Sequence, residues 1–286
     1  MTTSALNRPK LALIDGHSLA YRMYFALERT QMKSSKSTPT WGTYGFFKAL
    51  LDFIKTANSN GNRLEGVIVA FDRGRKTFRT DIYPEYKAHR EEMPESLRQQ
   101  LKDIRLGLEA LELPIYELDN YEADDIIGTL ARKALAHDLD VTILTGDQDA
   151  FQVIDPENRI QLMMPGFTGG LSAVDRARVK EKWGIDPEEV VDFKALKGDT
   201  SDNIPGVPGI GDKTAAKLIQ EYKTLEGIYE NIDNISGKKL QENLRTYKEQ
   251  AFLSRQLAQI NFETPVQLSE QALKYQIKSL APFPLS

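Results

Sequence analysis

The chain has 286 residues, with 37 lysines and arginines against 41 acids and a formal net charge of −4. It holds no cysteine, which excludes disulfides, cysteine-based zinc sites and thiol nucleophiles. No apolar run approaches the roughly 18 residues needed to cross a bilayer, and the apolar stretch near the N-terminus is too short for a secretion signal, so a cytoplasmic protein is expected.

Residues 10–15 (KLALID) form an apolar run ending in an acid and read as a buried strand, followed by a helical pattern through Tyr21, Tyr24 and Phe25. Residues 32–40 (MKSSKSTPT) are polar and basic and read as a mobile loop. The pattern predicts a helix over 42–55 and a second strand over 66–72 (GVIVAFD). Residues 73–93 are basic and break the alternation. A helix over 96–111, a short strand over 114–117, a helix over 121–137, a strong strand over 140–145 and a weaker one over 159–164 follow. This alternation predicts an α/β fold with a mostly parallel central sheet flanked by helices. From residue 175 onward no strand pattern appears, and short helical stretches punctuated by glycine and proline predict a second, helical unit. The expected division is a core over 1–174, a helical unit over 175–260 and a tail or linker over 261–286.

Three predicted strands end in an acid: Asp15, Asp72 and Asp147, the last followed by Asp149. Ligands of open parallel sheets bind beyond the carboxyl ends of the strands, so these acids are expected to converge. Glu122, Asp124 and Asp125 open a predicted helix, and Asp199 and Asp202 sit in a glycine-led turn. Each has an ordinary reading as a helix-capping or turn residue. Taken together, carboxylates crowded at one sheet edge repel one another unless cations neutralise them. His17, His89 and His137 are scattered, so a metal here must be held mainly by oxygen, which points to magnesium or manganese. Two such ions held by shared carboxylates suit phosphodiester cleavage. A phosphatase that uses an acid after its first strand needs a second aspartate two residues on. Position 17 is histidine, and that alternative falls.

Between residues 73 and 90 stand six bases (Arg73, Arg75, Lys76, Arg79, Lys87, Arg90) against Asp81 and Glu85, interleaved with Phe78, Tyr83 and Tyr86. Bases for phosphates and rings for unpaired bases suit a single strand, although a solvated surface loop has the same composition. Gly206, Gly209 and Gly211, followed by Lys213 and Lys217, form a glycine-rich turn opening a helix. Its backbone N–H groups can hold a phosphate without reading sequence. Because nine acids are assigned to one site, the negative net charge does not count against DNA.

These motifs together resemble the 5′-nuclease (flap endonuclease) family, in the bacterial 5′–3′ exonuclease form found at the N-terminus of DNA polymerase I. The resemblance rests on Ile14-Asp15-Gly16, Ala70-Phe71-Asp72, the run from Tyr121 to Asp125, the run from Thr145 to Asp149, and Gly198-Asp199 through Gly206. It implies that residues 73–95 belong to a helical arch or gateway passing a 5′ single strand, with Lys87 and Arg90 contacting the scissile phosphate. It further implies that Tyr21 stacks on the terminal base and that Lys194 faces the site. The 206–211 turn becomes a helix-hairpin-helix gripping duplex DNA, with a potassium ion on its carbonyls. Asp15, Asp72, Glu122 and Asp124 would then hold one magnesium ion. Asp125, Asp147, Asp149, Asp199 and Asp202 would hold a second, with manganese as a substitute. The implied protein is a monomer in replication and repair that cuts DNA at 5′ flaps, overhangs or nicks and removes RNA primers, with a polymerase domain in a longer chain. An RNA-cleaving nuclease of PIN type and a non-catalytic junction-binding module remain as alternatives.

Overall fold

A computed structural model describes residues 8–58, 63–166, 170–269 and 272–273. The elements run β1 (Pro9–Asp15), α1 (Gly16–Leu27), α2 (Trp41–Ala57), β2 (Arg63–Ala70), α3 (Phe78–Ile82), α4 (Glu95–Ala110), β3 (Ile115–Tyr116), α5 (Ala123–Ala136), β4 (Asp140–Leu144), β5 (Ile160–Pro165) and β6 (Leu171–Val174). Helices α6 (Arg176–Trp183), α7 (Val190–Lys197), α8 (Asp212–Tyr222), α9 (Leu225–Glu230), α10 (Lys238–Thr246) and α11 (Lys248–Ala258) follow. No helix among the described residues is long and apolar enough to cross a membrane.

The sheet order is β3-β2-β1-β4-β5-β6, parallel throughout except for β6, which pairs antiparallel with β5. Because the order reverses at β1, a crevice opens between the carboxyl ends of β1 and β4. Successive side chains of a strand face opposite ways. Leu11 and Leu13 therefore pack under α5, whereas Ala12 and Ile14 pack under α1, α2 and α4. The cluster under α5 continues without a break into α6–α11 through Val179, Phe193, Leu218 and Leu244, so core and helical unit share one interior.

The structure differs from the sequence reading in several places. Residues 32–40 close on themselves, with Ser34 N–H donating to Thr38 O at 2.9 Å and Thr40 N–H to Met32 O at 3.0 Å. Residues 73–94, expected as part of a helical arch or gateway, hold the single short helix α3 and a series of turns. Residues 261–269 and 272–273 are no loose tail, since Thr264, Val266 and Ala272 are buried. There Thr129 Oγ1 donates to Asn261 O at 3.1 Å, and the Arg132 guanidinium lies 3.4 Å from the centre of the Phe262 ring. The rest of the predicted tail lies outside the described residues.

Candidate active site

Asp15 ends β1 and caps α1: Oδ1 accepts from Ser18 N–H at 2.9 Å and Oδ2 from the Thr145 hydroxyl at 3.0 Å. The same hydroxyl accepts from Asp147 N–H at 3.0 Å, so one threonine beyond β4 ties two of the acids together. Asp72, two residues beyond β2, accepts from Ala123 N–H at 2.7 Å, which fixes it against the start of α5. His17 Nδ1 accepts from Asp72 N–H at 3.1 Å. Burial pushes the His17 imidazole below its ordinary range, and both facts describe a neutral ring.

Asp15 and Asp124 are crowded. Burial, followed by repulsion from Asp72 and Asp147, raises Asp15 from 3.8 to about 7. Burial and the charges of Asp15 and Asp147 hold Asp124 well above the usual carboxylate range. Asp149 also rises to about 7 through burial and Asp147, although Lys194 opposes the shift.

On the two flanks the acids already meet cations. Lys87 Nζ lies 2.8 Å from Glu122 Oε1 and 3.6 Å from Asp202 Oδ2, and Arg90 also pairs with Asp202. The Tyr86 hydroxyl donates toward Glu122 at 3.2 Å and Asp202 at 3.1 Å. On the other flank Lys194 bridges Asp149 and Asp199, the latter at 2.7 Å. Burial pushes Asp199 and Asp202 up, but their partners win. Lys194 and Ser201 bring Asp199 down to about 2, and Lys87 and Arg90 hold Asp202 below 3.8.

The turn carrying Asp199 and Asp202 is built by two glycines. Gly198 (φ +75°) and Gly206 (φ +62°) lie back to back, and a Cβ on Gly206 would sit 2.2 Å from Gly198 N. Asp199 and Ile204 exchange N–H···O bonds at 2.8 Å across the turn, and Lys87 N–H donates to Asp202 O at 2.9 Å. Lys87 itself has φ +56°, an uncommon state for a lysine that directs it at the acids.

Four sequence expectations need correction. Asp125 is wholly buried, and both its oxygens are taken by Arg79 at 2.8 Å, so its charge is met within the protein. Arg79 is correspondingly buried and offers nothing to a DNA backbone. Tyr86 is buried with its hydroxyl on two carboxylates, which leaves no ring face for a base. Lys194 is buried between Asp149 and Asp199. Gly206 is buried too, and its N–H donates to Ser254 Oγ at 3.0 Å. Tyr21 is half-buried, whereas Arg73, Arg75, Gly209, Gly211, Lys213 and Lys217 are exposed, with Arg73 3.2 Å from Asp119. The sequence reading did not anticipate Thr145 or Ser201; each is a hydroxyl two residues from an acid.

Among the described residues no three acids form a ready ligand set for one ion, because Glu122, Asp149, Asp199 and Asp202 are turned onto Lys87, Arg90 and Lys194. The donor chemistry nevertheless fits hard divalent cations. All candidate donors are carboxylate oxygens, and three of them are pushed toward protonation by burial and by neighbouring carboxylates, a demand a cation relieves.

Comparison with known proteins agrees. Residues 10–184 match the family model of the 5′–3′ exonuclease N-terminal resolvase-like domain, and residues 185–280 that of the 5′–3′ exonuclease C-terminal SAM fold. The chain is 41% identical to DNA polymerase I of Bacillus subtilis over 94% of its length and 43% identical to that of Chloroflexus aurantiacus over 93%. It spans 30% and 28% of those two proteins. Among solved structures, T5 5′-exonuclease with bound zinc superposes with a TM-score of 0.69 at 25% identity, covering 88% of this chain and 90% of that one. The catalytic core of Rad2 in complex with DNA shares the fold at a TM-score of 0.57 and 15% identity, covering 94% and 83%. Matched by both family models along nearly all of its length, the chain belongs to the 5′–3′ exonuclease family.

Proposed function

We propose that the chain is a structure-specific 5′ nuclease that cuts DNA near single-strand/duplex junctions, at 5′ flaps, overhangs and nicks, and removes RNA primers from their DNA hybrids. The observation that carries this reading is a crowd of mutually repelling carboxylates at the β1/β4 crevice with Lys87 and Arg90 set directly upon it. Asp15, Asp72, Glu122 and Asp124 would hold one magnesium ion, and Asp147, Asp149, Asp199 and Asp202 a second. Manganese would substitute. When bound, the ions lower the cost of negative charge on the attacked phosphate and on the departing oxygen.

The chain's own residues do the rest. Lys87 leaves Glu122 and Asp202 for the scissile phosphate, where it and Arg90 donate to the non-bridging oxygens as charge builds. Tyr21 stacks on the unpaired base, while Arg73 and Arg75 hold the single strand by its phosphates. The exposed turn at Gly209 and Gly211, with Lys213 and Lys217 behind it, grips duplex DNA without reading sequence. A potassium ion on the carbonyls of that turn belongs to the same reading. So do a monomeric state and a polymerase domain in a longer chain. The products are a 5′-phosphate and a 3′-hydroxyl.

The test is a 5′-labelled DNA flap incubated with magnesium or with chelator, beside an Asp147→Asn variant. Magnesium-dependent cutting at the junction, absent in the variant, is the expected result. Tight binding without cutting in either magnesium or manganese would leave a junction-binding module.

A further inference from the structure

Arg79 and Asp125 are the two candidate residues that the site itself does not absorb. The Arg79 guanidinium donates to both Asp125 oxygens at 2.8 Å, to Leu257 O at 2.9 Å and to Gln259 O at 2.7 Å. Asp125 also accepts from Glu122 N–H at 3.0 Å and from Asn261 N–H at 2.8 Å. Three segments far apart in sequence therefore meet at one buried pair. Helix α3 leads into Tyr86, Lys87 and Arg90. The start of α5 presents Glu122 and Asp124. Residues 257–261 end the helical unit that carries Lys213.

We propose that Arg79 and Asp125 form a positioning pair that fixes Glu122 and Asp124 relative to Lys87 and Arg90 and locks both to the end of α11. The proposal rests on the nuclease reading above. Stability alone does not account for such a pair, because the cost of removing two charges from water offsets most of their attraction, and apolar residues of similar size do as well or better. What a guanidinium supplies is direction: two parallel N–H···O bonds orient the carboxylate. The remaining N–H groups reach carbonyls of the last turn of α11 and the residue after it, which lack helical partners of their own. Lysine would carry the charge without the fork.

Three changes test this: Arg79→Lys, Asp125→Asn, and the double change Arg79→Met with Asp125→Leu, which leaves neither charge alone in the interior. The measurements are thermal unfolding, single-turnover flap cleavage in magnesium, flap binding in calcium, and Mn²⁺ affinity of the DNA-free protein by electron paramagnetic resonance. All assays are run well below each unfolding midpoint. Losses of about 10–100-fold in cleavage rate and in Mn²⁺ affinity are expected, as for residues that orient metal ligands, with flap affinity changed less than about threefold. The double variant is expected to recover stability but not rate. Should the interior charge rule out folding of Asp125→Asn, Arg79→Lys retains the charge and is read alone. A double variant that recovers rate along with stability would make the pair structural only. So would rates and Mn²⁺ affinities near wild type in all three. If the wild-type protein cuts no flap, the nuclease reading fails, and the Mn²⁺ comparison still decides the pair.

Discussion

Asp15 and Asp199 flank the same end of the sheet, yet their surroundings drive them apart. Asp15 is buried with a backbone N–H and a threonine hydroxyl and faces the charges of Asp72 and Asp147, and it rises to about 7. Asp199 is only half-buried, Lys194 and Ser201 reach it, and it falls to about 2. One residue type thus serves two purposes. At Asp199 the built-in lysine satisfies the carboxylate; at Asp15, where only neutral donors are supplied, the demand for positive charge is left for a ligand to meet.

Substituting one member of each class tests this contrast most severely. Asp15→Asn keeps the cap on α1, since asparagine caps as well as aspartate. It is expected to lower cleavage on the order of 10³-fold, because a carboxylate proposed to hold a metal ion is lost. In chelator the same change should stabilise the protein. The unfolded Asp15 loses its proton near 3.8, and the folded one near 7. Between those values the folded state binds more protons than the unfolded state, so its stability falls as pH rises from about 4 to about 7. Asp149 adds to this trend, and His17, held low, opposes it. Asp199 runs the other way: its contribution is complete above about 4 and is lost as pH falls toward 2. Unfolding temperatures in chelator are therefore expected to decline from pH 4.5 to 8 and to flatten in Asp15→Asn. Asp199→Asn should keep the slope and lower the whole curve, because it deprives buried Lys194 of one of its two carboxylates. A wild-type curve that rises across this window would break the comparison.

A smaller effect is expected where a cation sits on an acid but has work elsewhere. Lys87 rests on Glu122 and Asp202, while Arg90, beside it, already pairs with Asp202. Lys87→Ala should lower the single-turnover rate about 100-fold and change flap affinity less than about threefold, the pattern of a contact made only in the transition state. Equal losses in rate and binding would make Lys87 a grip residue.

The central sheet was legible because its strands are continuous apolar runs, and the acids were legible because each ends a strand or opens a helix or turn. Strand β6 was not: its four residues, LSAV, leave two exposed and carry no buried run. Nor could composition separate a basic residue that meets solvent from one consumed at a distance. Arg73 and Arg79 lie six residues apart in one basic stretch. Arg79 is closed by Asp125, 46 positions on, and by a carbonyl 178 positions on, partners that only the tertiary fold brings within reach. The packing of residues 261–269 and 272–273 escaped for a related reason. It depends on isolated contacts such as Thr264 with Thr129 and Phe262 with Arg132, which leave no period in the sequence.

Lys213 and Lys194 complete the comparison at its weak end. Both are lysines of the helical unit, but Lys194 is enclosed by two acids and Lys213 is exposed in the first turn of α8, behind Gly211. An exposed lysine on a DNA phosphate contributes mainly by releasing a counterion, so its loss is felt equally by every duplex sequence. Lys213→Ala is expected to weaken duplex binding only a few-fold and to reduce the slope of log affinity against log salt by about one. Cleavage at saturating substrate should be unchanged. Titrating two duplexes of unrelated sequence across a salt series reads the affinity and the slope, and single-turnover cleavage of a saturating flap reads the rate. A loss confined to one sequence would mean that the turn reads bases, and an unchanged salt slope would mean that Lys213 touches no phosphate.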